Sequence, residues 1–202
     1  MAGGVKRGTD APGKPRESQP GTADAAAASA ARTAIDTILQ SSAVELFHSQ
    51  GVAVAPLRPC ALGDQRRFYE WVGVIHFEAT NLSGVLTVST PMAVWSGRDA
   101  GAAAKADSES LADWHREIAN QLMGRIKNRL LKFQLVLNPR LPSALSGAAL
   151  ELHRKRSASE ILYRFRALRG DVLVVVDAPL DRAILAYSGG MQVAREGELI
   201  LF

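Results

Sequence analysis

The chain has 202 residues, 47% of them hydrophobic and 22% charged, which suits one ordinary domain with a tail, or two small domains, and excludes a chain disordered throughout. With 24 Lys and Arg against 20 Asp and Glu, the net charge is +4, and the bases are interspersed with acids, a pattern that points away from nucleic acid. No apolar run approaches the roughly 18–20 residues of a membrane helix, so no membrane span is expected.

Residues 1–32 are rich in Gly, Pro, Ser, Thr and Ala, with no large apolar side chain after Val5. Such a stretch buries too little surface to offset its ordering entropy. It reads as a disordered leader, with nascent helix at most along Ala25–Ala31. Its basic start has no apolar segment behind it, so no secretory signal is expected and the cytoplasm is the expected location. Periodicity starts at Ala34. Ile35, Ile38, Leu39, Ser42, Leu46 and Phe47 recur at three- and four-residue spacing, which predicts an amphipathic helix closed by Gly51. The single cysteine, Cys60, lies among prolines, cannot pair internally and fits a reducing compartment.

The run WVGVIHFE at 71–78 is β-branched and aromatic and predicts a strand. NLSG at 81–84 supplies a turn and GVLTVST at 84–90 the paired strand. Residues 91–110 hold several alanines but also Gly97 and Gly101, which predicts a short or broken helix and a loop. The strongest helix spans roughly 111–132. After it, FQLVLN at 133–138 reads as a strand, PRLPSALSG at 139–147 as a loop and AALELHRK at 148–155 as a strand. EILYRFRAL at 160–168 and DVLVVVDA at 171–178 form two more, joined by a tight turn at Arg169–Gly170. PLDRAILAYS suits a short helix and the terminal ELILF an edge strand. The expected architecture is α+β, a mostly antiparallel sheet with helices packed on one face. The expected organisation is a leader over 1–32, one domain over 33–187 and an extension over 188–202.

The helix at 111–132 has two faces. Ile118, Leu122, Ile126 and Leu130, with Ala119 and Met123, form the core face. Asp113, Glu117, Asn120, Gly124, Lys127 and Asn128 gather on the other. An exposed mid-helix glycine costs about 1 kcal/mol relative to alanine, so Gly124 suggests close approach by another surface. The spacing Glu117-x-x-Asn120-x-x-x-Gly124, opened by Asp113 and followed by a strand and the loop Leu141-Pro142-Ser143-Ala144-Leu145-Ser146-Gly147, resembles the CheX/CheC group of chemotaxis phosphatases. The likeness covers roughly residues 34–178. The helix after the hairpin is shorter and less apolar than that group's. In the first helix Glu45 is followed by His48 where the motif would require asparagine, so there is one candidate site, as in CheX-like members.

That resemblance implies a CheX-like fold and a phosphatase-type regulator. Its partner would be a CheY-like response-regulator receiver domain carrying a phospho-aspartate, in chemotaxis or another two-component pathway. An acyl phosphate is already activated, and its hydrolysis needs a water held in line with the leaving oxygen. A carboxamide can donate to and accept from one water without adding charge, and by resemblance Asn120 does so. Glu117, one turn back, would pair with the receiver's lysine. These two are the expected catalytic residues, with Asp113, Gly124 and Pro142 contacting the partner. No metal site and no cofactor of its own is expected, Mg2+ being carried by the receiver. Pairing through sheet edges would make a homodimer. Two other readings remain open: a catalytically idle module of the same fold that docks a receiver or a motor component, and a structural subunit that oligomerises through its sheet edge. His48, His76, His115 and His153 show no ligand spacing and read as boundary residues. Arg154-Lys155-Arg156 suits a hairpin tip. Arg164 and Arg166 share one sheet face, which is either simply exposed or open to an acidic partner.

Overall fold

In a computed structural model of the chain the described residues are 22–59, 67–95, 107–147, 150–151 and 159–188. Outside them lie most of the expected leader, the loop residues 96–106, Cys60, most of the strand expected at 148–155 with His153 and Arg154–Arg156, and the expected edge strand ELILF. The first element, α1 (Thr22–Ser49), begins twelve residues before the periodicity does, which corrects the expected helix start. The physical reason is local. The alanines between Ala25 and Ala31 have the highest helix propensity of any residue, Asp24 complements the first-turn dipole, and Ala31 is buried against the core. Its other end follows the expectation. Val52 N–H donates to the Phe47 carbonyl and Gly51 N–H to that of His48, both at 2.9 Å, with Gly51 at φ 74°. This is a Schellman cap, in which the left-handed residue is best a glycine.

Strands β1 (Val54–Pro56), β2 (Arg67–Phe68), β3 (Trp71–Ala79) and β4 (Leu82–Ser89) follow, then the short α2 (Met92–Trp95) and the long α3 (Ser108–Leu130). After α3 come a 3-10 turn at Leu131–Phe133, then β5 (Asn138–Pro139), β6 (Ser143–Ser146), β7 (Leu150–Glu151), β8 (Glu160–Ala167), β9 (Gly170–Asp177) and α4 (Leu180–Ser188). The main sheet runs β1-β8-β9-β4-β3-β5, with β6 also on β3, and every pairing is antiparallel. β2 and β7 make a separate two-stranded ribbon.

The fold is α+β. Alternate residues of the central strands face opposite sides. Ile75, Phe77, Leu86, Val88, Tyr163, Phe165, Val174 and Val176 share one core with α1, α3 and α4. Val72, Val74, Val85, Leu162, Leu173 and Val175 form a second cluster on the reverse face, closed by Phe68 of the ribbon strand β2. The helices therefore occupy one face.

Two expectations around the last edge are corrected. Residues 134–137 form no ladder: Leu135 and Leu137 are buried alternately with exposed Gln134 and Val136, which mimics a strand's period, but pairing starts only at Asn138. Conversely, the loop expected over 139–147 contains β6, paired with β3 from Val74↔Ser143 to Trp71↔Ser146. Between the two ladders β3 has only Ile75 and His76, whereas Arg140, Leu141 and Pro142 intervene opposite them. One extra residue is thus bulged out. Pro142 lacks an N–H and is tolerated at such a bulge on an edge, and Leu141 projects into solvent, 91% exposed.

Candidate functional site

The candidate site is one stripe of α3. Asp107 caps this helix, its carboxylate accepting from Ser110 N–H at 2.7 Å. That bond holds the carboxyl below the usual carboxylate range. The capped start lies three residues before the expected one, and the signal was the aspartate itself, followed by Ser108 and Glu109. One face of α3 is built as the periodicity predicts, with Ile118, Ala119, Leu122, Met123, Ile126 and Leu130 buried.

The helix is seated on β3 at a place where only glycine fits. A Cβ on Gly73 would stand 2.3 Å from the His115 carbonyl oxygen and 3.2 Å from Ala119 Cβ. His115 is not a boundary residue; it is buried, stacked at 5.6 Å on Trp71 and edge-on to Trp114 at 4.8 Å. Its Nδ1 lies 2.7 Å from the Leu111 carbonyl, which can only accept, so Nδ1 carries the proton. The other nitrogen faces the Thr90 hydroxyl at 3.4 Å. Burial pushes the imidazole pKa down, and the Leu111 bond opposes this in part.

With the helix fixed from below, Asp113, Glu117, Asn120 and Gly124 line up on its outer side. At about 100° per residue they fall within an arc of about 60° and span about 16 Å. Asp113, Glu117 and Asn120 are exposed and Gly124 is half-buried. Asp113 is ion-paired with Arg116. Glu117 accepts from Gln121 Nε2 at 2.7 Å. Among the described residues the Asn120 carboxamide has no hydrogen-bond partner, and a Cβ on Gly124 would meet nothing within 4 Å. The stripe thus presents a carboxylate, an unengaged carboxamide and a notch, in that order.

The structure brings four of the five predicted site residues together. The fifth, Pro142, stands in the bulge between β5 and β6, on the strand whose continuation β6 packs against α3. No hydrogen bond or ion pair joins it to the stripe among the described residues. Gln121 was missed; its signal was the four-residue spacing from Glu117, which places two side chains side by side on a helix. Arg164 and Arg166, on the reverse face of the sheet, both turn to Asp171, at 3.9 and 2.6 Å. Among the described residues there is no group of three His, Cys, Asp or Glu able to hold a metal ion, and no helix long and apolar enough to cross a membrane.

No family model matches the chain, and no curated protein matches it in sequence. Solved structures do. A chemotaxis protein CheX from Vibrio vulnificus is 17% identical, with a TM-score of 0.64 over 71% of this chain and 98% of that one. A CheC-like superfamily protein from a Shewanella species is 16% identical, with a TM-score of 0.64 over 72% and 97%. The CheX of a CheX–CheY–BeF3–Mg2+ complex from Borrelia burgdorferi is 12% identical, with a TM-score of 0.56 over 69% and 94%. The fold is CheX-like.

Proposed function

We propose that this protein docks the receiver domain of a response regulator through the outer stripe of α3 and stimulates hydrolysis of its phospho-aspartate. The observation that carries the reading is the pair Glu117 and Asn120, exposed on one face of a braced helix, with the Asn120 carboxamide unengaged among the described residues. A likeness of fold to the CheX of a CheX–CheY complex supports the same partner. In the reaction, a water oxygen attacks phosphorus, the bond from phosphorus to the aspartyl oxygen breaks, and phosphate and a free carboxylate result. Asn120 holds the water in line with the leaving oxygen, through its carbonyl as acceptor and its NH2 as donor. Glu117 meets a cation of the receiver and sets the docking register. Gly124 lets the partner's surface close on the helix. The protein supplies no nucleophile and no metal; the Mg2+ required belongs to the receiver.

The test is phosphate release from an aspartyl-phosphorylated receiver in Mg2+, with and without the protein. Asn120→Ala removes the stimulation while leaving receiver binding near wild type. Glu117→Ala lowers both. Stimulation that survives Asn120→Ala refutes the assignment of the water to this residue. Binding without stimulation in the unaltered protein identifies an idle docking module. Two copies pairing along the β5–β6 edge is a further part of this reading, supported by the exposed side chains of Val136, Leu141 and Leu145 there; a monomeric mass by light scattering refutes it.

A further inference from the structure

We infer that Gln121, braced by Gln50, is a positioning residue that holds the Glu117 carboxylate ready for a cationic group of the partner. The inference rests on the docking role given to Glu117 above. Gln121 follows Glu117 by one turn, and its Nε2 donates to Glu117 Oε1 at 2.7 Å. The other end of the same carboxamide accepts from Gln50 Nε2 at 3.4 Å. Gln50 lies in the capping turn of α1, where its backbone N–H is shared between the Leu46 and Phe47 carbonyls at 3.1 Å. Both glutamines are half-buried, whereas Glu117 is exposed. A line of hydrogen bonds therefore runs from a backbone-fixed turn of α1, through two carboxamides, to a carboxylate that would otherwise rotate freely in solvent.

The choice of an amide has a chemical consequence. The neighbouring carboxylates of these helices are met by cations. Asp113 has Arg116, and Glu45 has Arg129 at 2.5 Å and Arg125 at 3.6 Å. Their charge is already compensated. Glu117 is held by a neutral donor, which fixes its direction and leaves its negative charge for an incoming cation. An ordered side chain also loses less rotamer freedom when the partner arrives. A lysine at position 121 would keep the spacing and support the helix through a Glu–Lys pair, but it would compensate the charge that docking uses.

This contrast makes the test. In the full chain, Gln121→Leu and Gln121→Lys are compared with wild type in three measurements: affinity for an aspartyl-phosphorylated receiver, the dephosphorylation rate at saturating receiver, and the urea midpoint. Gln121→Leu should weaken binding roughly three- to tenfold, the cost of ordering one more side chain on docking, with the saturating rate within about twofold. Gln121→Lys should weaken binding at least as much while its urea midpoint stays the same or rises. A merely structural role would leave Gln121→Lys binding as wild type, and wild-type affinity in both variants overturns the inference. Side-chain couplings of Glu117 by NMR, without receiver, form a separate arm. A single rotamer in wild type that becomes averaged in Gln121→Leu supports the positioning role; averaging in both overturns it. If wild type binds no receiver, the docking reading fails and the NMR arm alone decides the positioning role.

Discussion

Gly124→Ala separates stability from function more cleanly than any other change in α3. Residue 124 lies in the middle of a 23-residue helix, where glycine costs about 0.8–1 kcal/mol relative to alanine through backbone entropy. A glycine is often retained because a neighbour leaves no room for a side chain, as at Gly73 of β3 against α3. At Gly124 the added methyl would meet no atom within 4 Å, so no clash offsets the gain. The variant should be more stable by about 0.5–1 kcal/mol, a rise in Tm of about 1–4 °C for a chain of this size. The same methyl fills the notch one turn beyond Asn120, so receiver binding should weaken as the fold strengthens. Urea unfolding followed by circular dichroism reads the first effect, and titration with phosphorylated receiver reads the second. A lowered midpoint refutes the open space around Gly124. A raised midpoint with unchanged binding removes Gly124 from the docking surface.

Gly73→Ala should act in the opposite sense. A methyl 2.3 Å from the His115 carbonyl oxygen must lift α3 from the sheet, at about 1–3 kcal/mol for an overpacked contact, read as a lower urea midpoint and refuted by an unchanged one. Leu122→Ala, fully buried beneath the stripe, should cost about 2–5 kcal/mol while phosphatase stimulation per folded molecule persists; a midpoint close to wild type counts against the packing described. The buried His115 gives a pH dependence. Its folded pKa is lowered from 6.5, so the unfolded chain takes up the proton first as pH falls below about 6.5. Its contribution to stability is complete above that pH and is lost progressively below it, through the folded pKa. His115→Leu should flatten the change in urea midpoint between pH 7.5 and 5, and a slope equal to wild type refutes the assignment.

The long strands, α3 and the part of α1 from Ala34 onward were legible because their signals are local. β8 and β9 carry β-branched and aromatic runs around a turn that falls at Leu168–Arg169, one residue before the expected Arg169–Gly170, and α3 carries six buried apolar residues at helical spacing. What was hidden depends on partners far along the chain. β1 is three residues ending in proline, and only β8 makes it a strand. β6 looks like a loop because Pro142 precedes it; it becomes a strand because β3 has an unfilled edge and one bulged residue restores the register. Residues 134–137 fail the other way: Gln134 is a left-handed turn residue at φ 57°, and Leu135 and Leu137 reach the core without a ladder partner, so burial alternates without a strand.

The site divides along the same line. Asp113, Glu117, Asn120 and Gly124 could be placed on one face from spacing alone, because a helix maps sequence onto direction. What keeps that face in place could not. Gly73 carries no signal in the sequence, yet a Cβ there would run into the His115 carbonyl of α3, and His115 reads as a boundary histidine two residues before Glu117. Together they set the height of the helix, with Trp71 and Trp114 fixing the ring. Gln50 is 71 residues from Gln121, and only the packing of α1 on α3 brings the two amides together. The exposed stripe is therefore a local feature whose rigidity is non-local: a change at Gly73 or Gln50 would alter how Glu117 and Asn120 are presented while leaving the motif itself intact.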